Sequence, residues 1–114
     1  MAIQQLQQQD SDISECIDLC SEAAQACEMC ADACAEEGEE MARCLRLCRD
    51  VADLASLHAR FMSRESEFHA ELAGICADAC EACRDECEQH DMDHCQTCVD
   101  VLEPCIESCR SMAA

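Results

Sequence analysis

The chain reads as an all-α protein, an antiparallel up-down-up-down four-helix bundle with a cysteine-lined core. Three observations predict it. Two glycines and one proline are the only strong breakers in 114 residues, which favours long helices joined by short turns. Fifteen cysteines recur mostly three or four positions apart, as Cys16/Cys20, Cys27/Cys30/Cys34, Cys44/Cys48, Cys76/Cys80/Cys83/Cys87, Cys95/Cys98 and Cys105/Cys109. That step returns side chains to one helical face with Cβ atoms about 5–6 Å apart. Finally, Trp and Tyr are absent and Phe61 and Phe68 are the sole aromatics, so the usual large side chains cannot fill an interior alone and something else must help hold it.

The first helix is predicted over residues 12–35, starting at Asp12-Ile13-Ser14-Glu15, which reads as a capping box. Residues 1–11 form an N-terminal extension whose Gln-rich run is either a further helical turn or frayed, and residues 12–114 form the single bundle domain. Residues 36–40, around Gly38, make the first turn, and the second helix covers residues 39–61. Ser63-Arg64-Glu65-Ser66-Glu67 offers N-caps for a third helix that reaches residue 88. Residues 89–93 turn, and the last helix spans 93–111 with Pro104 inside it. Proline there removes a backbone hydrogen bond and bends the helix.

Charge narrows the partners. Net charge is −19, from 26 acidic residues against seven basic ones, and every basic residue is arginine. Such a surface repels nucleic acid and anionic lipid, so neither is expected as a partner. The excess of acid without lysine also fits solubility in high salt, hence a halophilic source. The opening residues lack the basic and apolar regions of a signal peptide, and no apolar run is long enough to cross a bilayer. A soluble, cytoplasmic protein is expected, in a compartment where thiols stay reduced and Cys-rich patterns signal metal more often than disulfides.

At about 100° per residue, the cysteines of the first helix fall within one narrow arc, as do those of the third and fourth. These stripes must face inward, flanked by small residues (Ala23, Ala24, Ala31 and Ala77 among them) that let helices approach closely. The second helix carries Cys44 and Cys48 only at its start. Its far half, with Ala55, His58 and Met62, faces His69 and Leu72, and reads as a conventional core plug. The thiol lining is therefore expected to be one-ended, concentrated towards the turns at Gly38 and His90 and absent from the opposite end.

Fifteen buried thiolates would repel one another and could not be desolvated without compensation. Soft monovalent copper resolves this, because thiolates select Cu(I) and binding removes the protons as it neutralises the charge. With metal–sulfur bonds of about 2.3 Å, a linear centre spaces two sulfurs about 4.6 Å apart, a distance that cysteines one helical turn apart can meet. Each such pair is then a ready site, adjacent sites share sulfurs, and capacity approaches roughly one copper per thiol. Zinc prefers isolated tetrahedral sites on turns, and iron–sulfur clusters need four convergent, usually loop-borne cysteines. A redox enzyme using Cys80/Cys83 would need a strongly depressed thiol pKa, which acidic surroundings do not favour. A zinc- or cadmium-buffering module, a thiol redox protein and a purely structural bundle stay open as alternatives. His90 and His94, with Met92 between them and Met41 on the adjoining face, either receive copper at the bundle mouth or serve as ordinary turn residues. For His58, Met62 and His69 a packing role is expected.

Three segments carry a resemblance: Cys76-Ala-Asp-Ala-Cys80-Glu-Ala-Cys83-Arg-Asp-Glu-Cys87, then His90-Asp-Met-Asp-His94-Cys95-Gln-Thr-Cys98, and the ending Cys105-Ile-Glu-Ser-Cys109-Arg-Ser-Met-Ala-Ala. With them the chain resembles the cytosolic branch of the bacterial four-helix-bundle copper storage proteins (Csp), and the earlier cysteine pairs match in spacing. The resemblance implies a non-catalytic homotetramer of bundles, each storing many Cu(I) ions on inward thiolates and detoxifying them. It also implies copper uptake at the His-bearing end; delivery by a copper chaperone is a further expectation. The chain departs from the family pattern in carrying two cysteines on its second helix where more are common, Met92 in place of a third histidine, and Pro104.

Overall fold

Four helices form in the predicted order: α1 (Ile3–Cys34), α2 (Ala42–Ser63), α3 (His69–Cys87) and α4 (Asp93–Met112), with a 3₁₀ turn at Glu39–Met41 between the first two. The computed structural model describes the backbone of residues 3–114 and the side chains of residues 11–114. Each helix packs on its neighbour in sequence, and α1 closes the ring against α4. Side-chain pairs fix the directions. Cys30 meets Cys44 while Cys20 meets His58, so α1 and α2 are antiparallel. Cys44 meets Cys87 and Cys48 meets Cys83. Arg110 reaches Asp78 while Arg84 reaches Glu103. The up-down-up-down bundle is the observed fold.

The helix boundaries correct the sequence reading in three places. No helix begins at Asp12, because α1 is already continuous from Ile3. The Gln-rich run contains good helix formers and no breaker, so propensity carries the helix through the predicted cap. The second helix proper begins at Ala42, its predicted first residues being the 3₁₀ turn that follows Gly38 at φ 101°. A left-handed backbone of this kind is one that glycine adopts without a Cβ clash.

The third helix begins at His69, five residues later than Arg64, the first residue after Ser63. The delay is a helix stop. Glu65 adopts φ 50°, its N–H donates to the Met62 carbonyl, and the Ser66 N–H donates to the Phe61 carbonyl at 2.9 Å. These are the two bonds of a Schellman ending, here with glutamate in the place usually taken by glycine. Ser66 then accepts the Phe68 N–H on its hydroxyl at 3.1 Å. Pro104 sits on the exposed side of α4, which continues through it to Met112. The lost N–H therefore faces away from the packed seam.

Few large side chains are fully buried: Met41, Val51, His58, Met62 and Leu102 stand out among the cysteines and alanines. The bundle interior is built from thiols to an extent that the apolar residues are not.

Candidate metal centre

All fifteen cysteines are free thiols, and each is at most 2 % exposed. Their stripes converge on the bundle axis, but they do not make one continuous lining. Where α1 passes from Cys20 to Cys27, Ala23 takes the inward place. Where α4 passes from Cys98 to Cys105, Leu102 does so, and on α2 Val51 follows Cys48. All three are 0 % exposed. Antiparallel register sets them at one level. Cys20 lies against Cys105 and Cys27 groups with Cys98, leaving Ala23 opposite Leu102. Cys20–His58 and Cys30–Cys44 likewise bracket the stretch of α2 that holds Val51 and Ala55, both 0 % exposed, across from Ala23.

On three of the four helices this apolar level forms a collar that interrupts the thiol stripes, while α3 carries Cys80 and Cys83 past it without a gap. On either side of it the thiols group into two chambers. The chamber nearer the Gly38 and His90 turns holds Cys27, Cys30, Cys34, Cys44, Cys48, Cys83, Cys87, Cys95 and Cys98. The remote chamber holds Cys16, Cys20, Cys76, Cys80, Cys105 and Cys109, linked through Cys76 to Cys20, Cys80 and Cys109 and through Cys80 to Cys105. The expected one-ended lining is therefore wrong. Only α2 stops carrying cysteine halfway along, while α1 and α4 bring Cys16, Cys20, Cys105 and Cys109 down to the level of His58. Ala55, His58 and Met62 are buried there as the plug reading expects, but they share that end with a second thiol compartment.

The short sulfur–sulfur approaches also differ from expectation. Those within a helix, Cys30–Cys34 and Cys105–Cys109, measure 4.0 Å. The shortest cross between helices: Cys48–Cys83 at 3.6 Å, Cys20–Cys109 at 3.7 Å and Cys44–Cys87 at 3.7 Å. Cys20–Cys105 at 3.9 Å, Cys16–Cys109 at 4.0 Å and Cys30–Cys44 at 4.0 Å do the same. A trigonal metal centre with bonds of about 2.3 Å spaces its sulfurs about 4.0 Å apart, against about 4.6 Å for a linear one. The cross-helix pairs thus suit three-coordinate, sulfur-sharing centres with small side-chain rotations. The sulfurs of Cys30, Cys44, Cys48 and Cys87 all lie within 4.8 Å of one another, and so do those of Cys27, Cys48 and Cys98.

Burial and mutual hydrogen bonding govern ionisation. Burial pushes the Cys95 thiol up to about 12, with the nearby Cys44 adding to it, and burial likewise raises Cys34. Cys44 goes the other way, held low by hydrogen bonds from Cys30, Cys48 and Cys87. Accepting several S–H bonds stabilises one thiolate at the expense of its donors, and Cys30 and Cys87 are correspondingly raised. Without metal the chambers mix thiols that burial keeps neutral with thiolates that their neighbours stabilise.

At the mouth the two predicted histidines behave differently. His94 turns Nδ1 to Cys30 at 3.1 Å and to Cys95 at 3.6 Å. Its Nε2 meets the Glu37 carboxylate at 3.0 and 3.1 Å, the outer partner that orients a ligating imidazole. His90 is brought to no thiol among the described residues. It pairs through Nε2 with Glu86 at 2.8 Å, one helical turn earlier. Glu86 is itself 9 % exposed and also bridges to Arg43 at 3.3 Å. Met41 is fully buried beside the Cys44 face, and Met92 packs partly buried against the core. The sequence reading missed Glu37 and Glu86, since Asp and Glu mostly mark solvated helix faces.

At the other end, His58 was placed with the packing residues. It is 0 % exposed, as packing requires, yet its Nδ1 lies 3.4 Å from the Cys20 sulfur and 3.7 Å from that of Cys109. His69 and Leu72 are half-buried and belong to no such group.

Comparison with known proteins gives a consistent result. The sequence pattern of a family described as "Copper storage protein" matches residues 9–114. A curated relative, the "Uncharacterized cysteine-rich protein YhjQ" of Bacillus subtilis, is 44 % identical over 101 residues, covering 87 % of this chain and 94 % of the relative. Among solved structures, the "Cu(I)-bound Copper Storage Protein BsCsp3" superposes with a TM-score of 0.85 at 42 % identity, covering 90 % of this chain and 99 % of that one. A cytosolic copper storage protein from Streptomyces lividans, carrying five coppers, gives a TM-score of 0.85 at 32 % identity over 90 % of this chain and 92 % of that one.

Proposed function

The chain belongs to the copper storage protein family, and we propose that its two thiol chambers store and detoxify many Cu(I) ions. The observation that carries this reading is the set of sulfurs from different helices held 3.6–4.0 Å apart in a fully buried core. A thiol core of that kind is stable when its protons are present or when soft cations replace them, and each Cu(I) that displaces a proton leaves the local charge unchanged. Multiple loading in similar proteins supports it, one relative being described with five coppers and again with ten copper equivalents.

The residues that take part are the fifteen cysteines, from Cys16 to Cys109, with His90 and His94 receiving copper at the mouth. His94 supplies a nitrogen beside Cys30 and Cys95, and His90 supplies a second imidazole tethered by Glu86. Residues 12–114 are the copper-binding unit and residues 1–11 its extension. The protein works in the cytoplasm, as the Streptomyces lividans relative is described, where a copper chaperone donates the metal. It is not an enzyme: every thiol is buried, so none is placed to attack a substrate. The acid-rich surface suits a halophilic source. Exposed Met29, Phe68 and Ile75 supply apolar surface for a homotetramer, whose mass light scattering will read as four times that of the chain.

Anaerobic titration of the reduced protein with Cu(I) against a competing chelator is expected to give tight uptake approaching one copper per thiol, roughly fifteen equivalents, as bridging thiolates allow. A parallel Zn(II) titration is expected to saturate at a few equivalents. Tight zinc binding with little copper uptake would overturn the storage reading in favour of a zinc buffer.

A further inference from the structure

The remote chamber contains one side chain that storage on thiolates does not explain. His58 stands on α2 at the level where that helix has ceased to carry cysteine. It is completely buried, so its polar ring is costly there unless both nitrogens find partners. Nδ1 faces two sulfurs, Cys20 at 3.4 Å and Cys109 at 3.7 Å. Nε2 is buried without a hydrogen-bond partner among the described residues. An apolar residue of similar size would fill the same space without that cost. The ring is therefore better explained by what Nδ1 can bind.

We propose that His58 Nδ1 is a Cu(I) ligand, closing the remote chamber with a mixed sulfur–nitrogen site formed with Cys20 and Cys109, and with Cys16 beside it. The assignment rests on the storage reading and extends it to a residue outside the thiol stripes and far from the mouth histidines. Geometry supports it. A trigonal centre with two sulfurs at about 2.3 Å and one nitrogen at about 2.0 Å spaces nitrogen from sulfur by about 3.7 Å and the sulfurs by about 4.0 Å. Here the nitrogen–sulfur distances are 3.4 and 3.7 Å and Cys20–Cys109 is 3.7 Å. The four ligand atoms of Cys16, Cys20, His58 and Cys109 all lie within 4.8 Å of one another. Adjustments of a few tenths of an ångström would seat the ion.

Charge gives the site its purpose. Within a chain of bridging thiolates, each copper shares sulfurs with its neighbours and the charges cancel. The last copper has no neighbour on one side, and completing its coordination with another thiolate would bury an uncompensated negative charge. A neutral imidazole completes it without adding charge. On binding, Nδ1 contributes its lone pair and Nε2 keeps its proton, while the displaced protons come from the thiols.

The test uses the full chain with Cu(I) alone as probe. In protein with ¹⁵N-labelled histidine, the His58 ring nitrogens are assigned through the backbone and followed anaerobically to saturation. The expected result is a large shift at His58 Nδ1 with Nε2 still protonated. Alongside, His58→Phe, which keeps the ring volume, is expected to bind about one copper fewer under a competing chelator. If copper fills the thiols while His58 Nδ1 stays unshifted, the assignment is overturned and storage stands. If the thiols take up no copper, both readings fall. The wild-type measurement decides even where the variant does not fold.

Discussion

Saturation with Cu(I) is expected to raise the melting temperature of this protein by more than about 20 °C and to remove its sensitivity to alkali. A ligand present at about a hundred times its dissociation constant stabilises the folded state by about 2.7 kcal/mol per site. A handful of such sites matches the whole stability of an ordinary domain, about 5–15 kcal/mol. The effect is enlarged here because the short sulfur approaches join different helices, so metal bonds span elements that otherwise rely on small side chains.

The pH dependence has a definite sign. The Cys95 thiol is raised to about 12 in the folded chain, from an ordinary value of 9.0, and Cys34 is raised as well. A thiol kept neutral by folding contributes stability that is fully present below the unfolded value and is lost as pH rises towards the folded one. Above pH 9 the thiols held low, such as Cys44, are ionised whether folded or unfolded and no longer change the balance. Metal-free protein is therefore expected to melt lower at pH 11 than at pH 9, by on the order of 5–10 °C at the usual size of the melting response for a chain this long. In the loaded protein those thiols have already surrendered their protons, and the two curves coincide. Calorimetry of both forms at both pH values checks this. A copper-saturated sample melting within a few degrees of the metal-free one would contradict the coupling of load to fold.

The second large effect belongs to the collar. Leu102→Ala removes the largest aliphatic side chain that is fully buried in the seam, and Ala23 opposite is too small to close over the gap. Leucine-to-alanine changes at such sites cost about 2–5 kcal/mol, the upper part where neighbours cannot collapse. Surrounding helices already approach closely on alanine, so little further collapse is available, and a fall of about 15 °C in the metal-free melting temperature is expected. Much of that loss should return on copper loading, since the cross-helix ligands lie above and below the collar rather than in it. Thermal melts of the variant with and without Cu(I) test both halves; an unchanged metal-free melt would show that the collar is not a packed layer.

Much of this was legible in the sequence. Cysteine at three- and four-residue steps names a helical face, and with so few breakers the number and order of helices follow. What periodicity does not give is the register between helices. The spacing of Cys44 and Cys48 shows which way they point, but not that Cys87 and Cys83 lie nearest them. Hence the sites appeared as pairs along one helix. The gaps at Ala23 and Leu102 were visible as skipped turns in two stripes, yet only antiparallel alignment brings them to one level and makes a collar of them. His58 was illegible for a related reason, since a single inward histidine looks the same whether it meets methyl groups or sulfur. The first helix was cut short because a capping-box pattern at Asp12 is only a weak stop when the residues before it also favour helix.

The position of the sulfur pairs between helices has a consequence for the lifetime of the molecule. Cellular proteases cut chains in proportion to how often they open, and opening here means parting helices that stored metal ties together. An empty store is therefore expected to be cut faster than a loaded one when the two are given the same protease. Such a difference would tie the survival of each copy to the metal it carries.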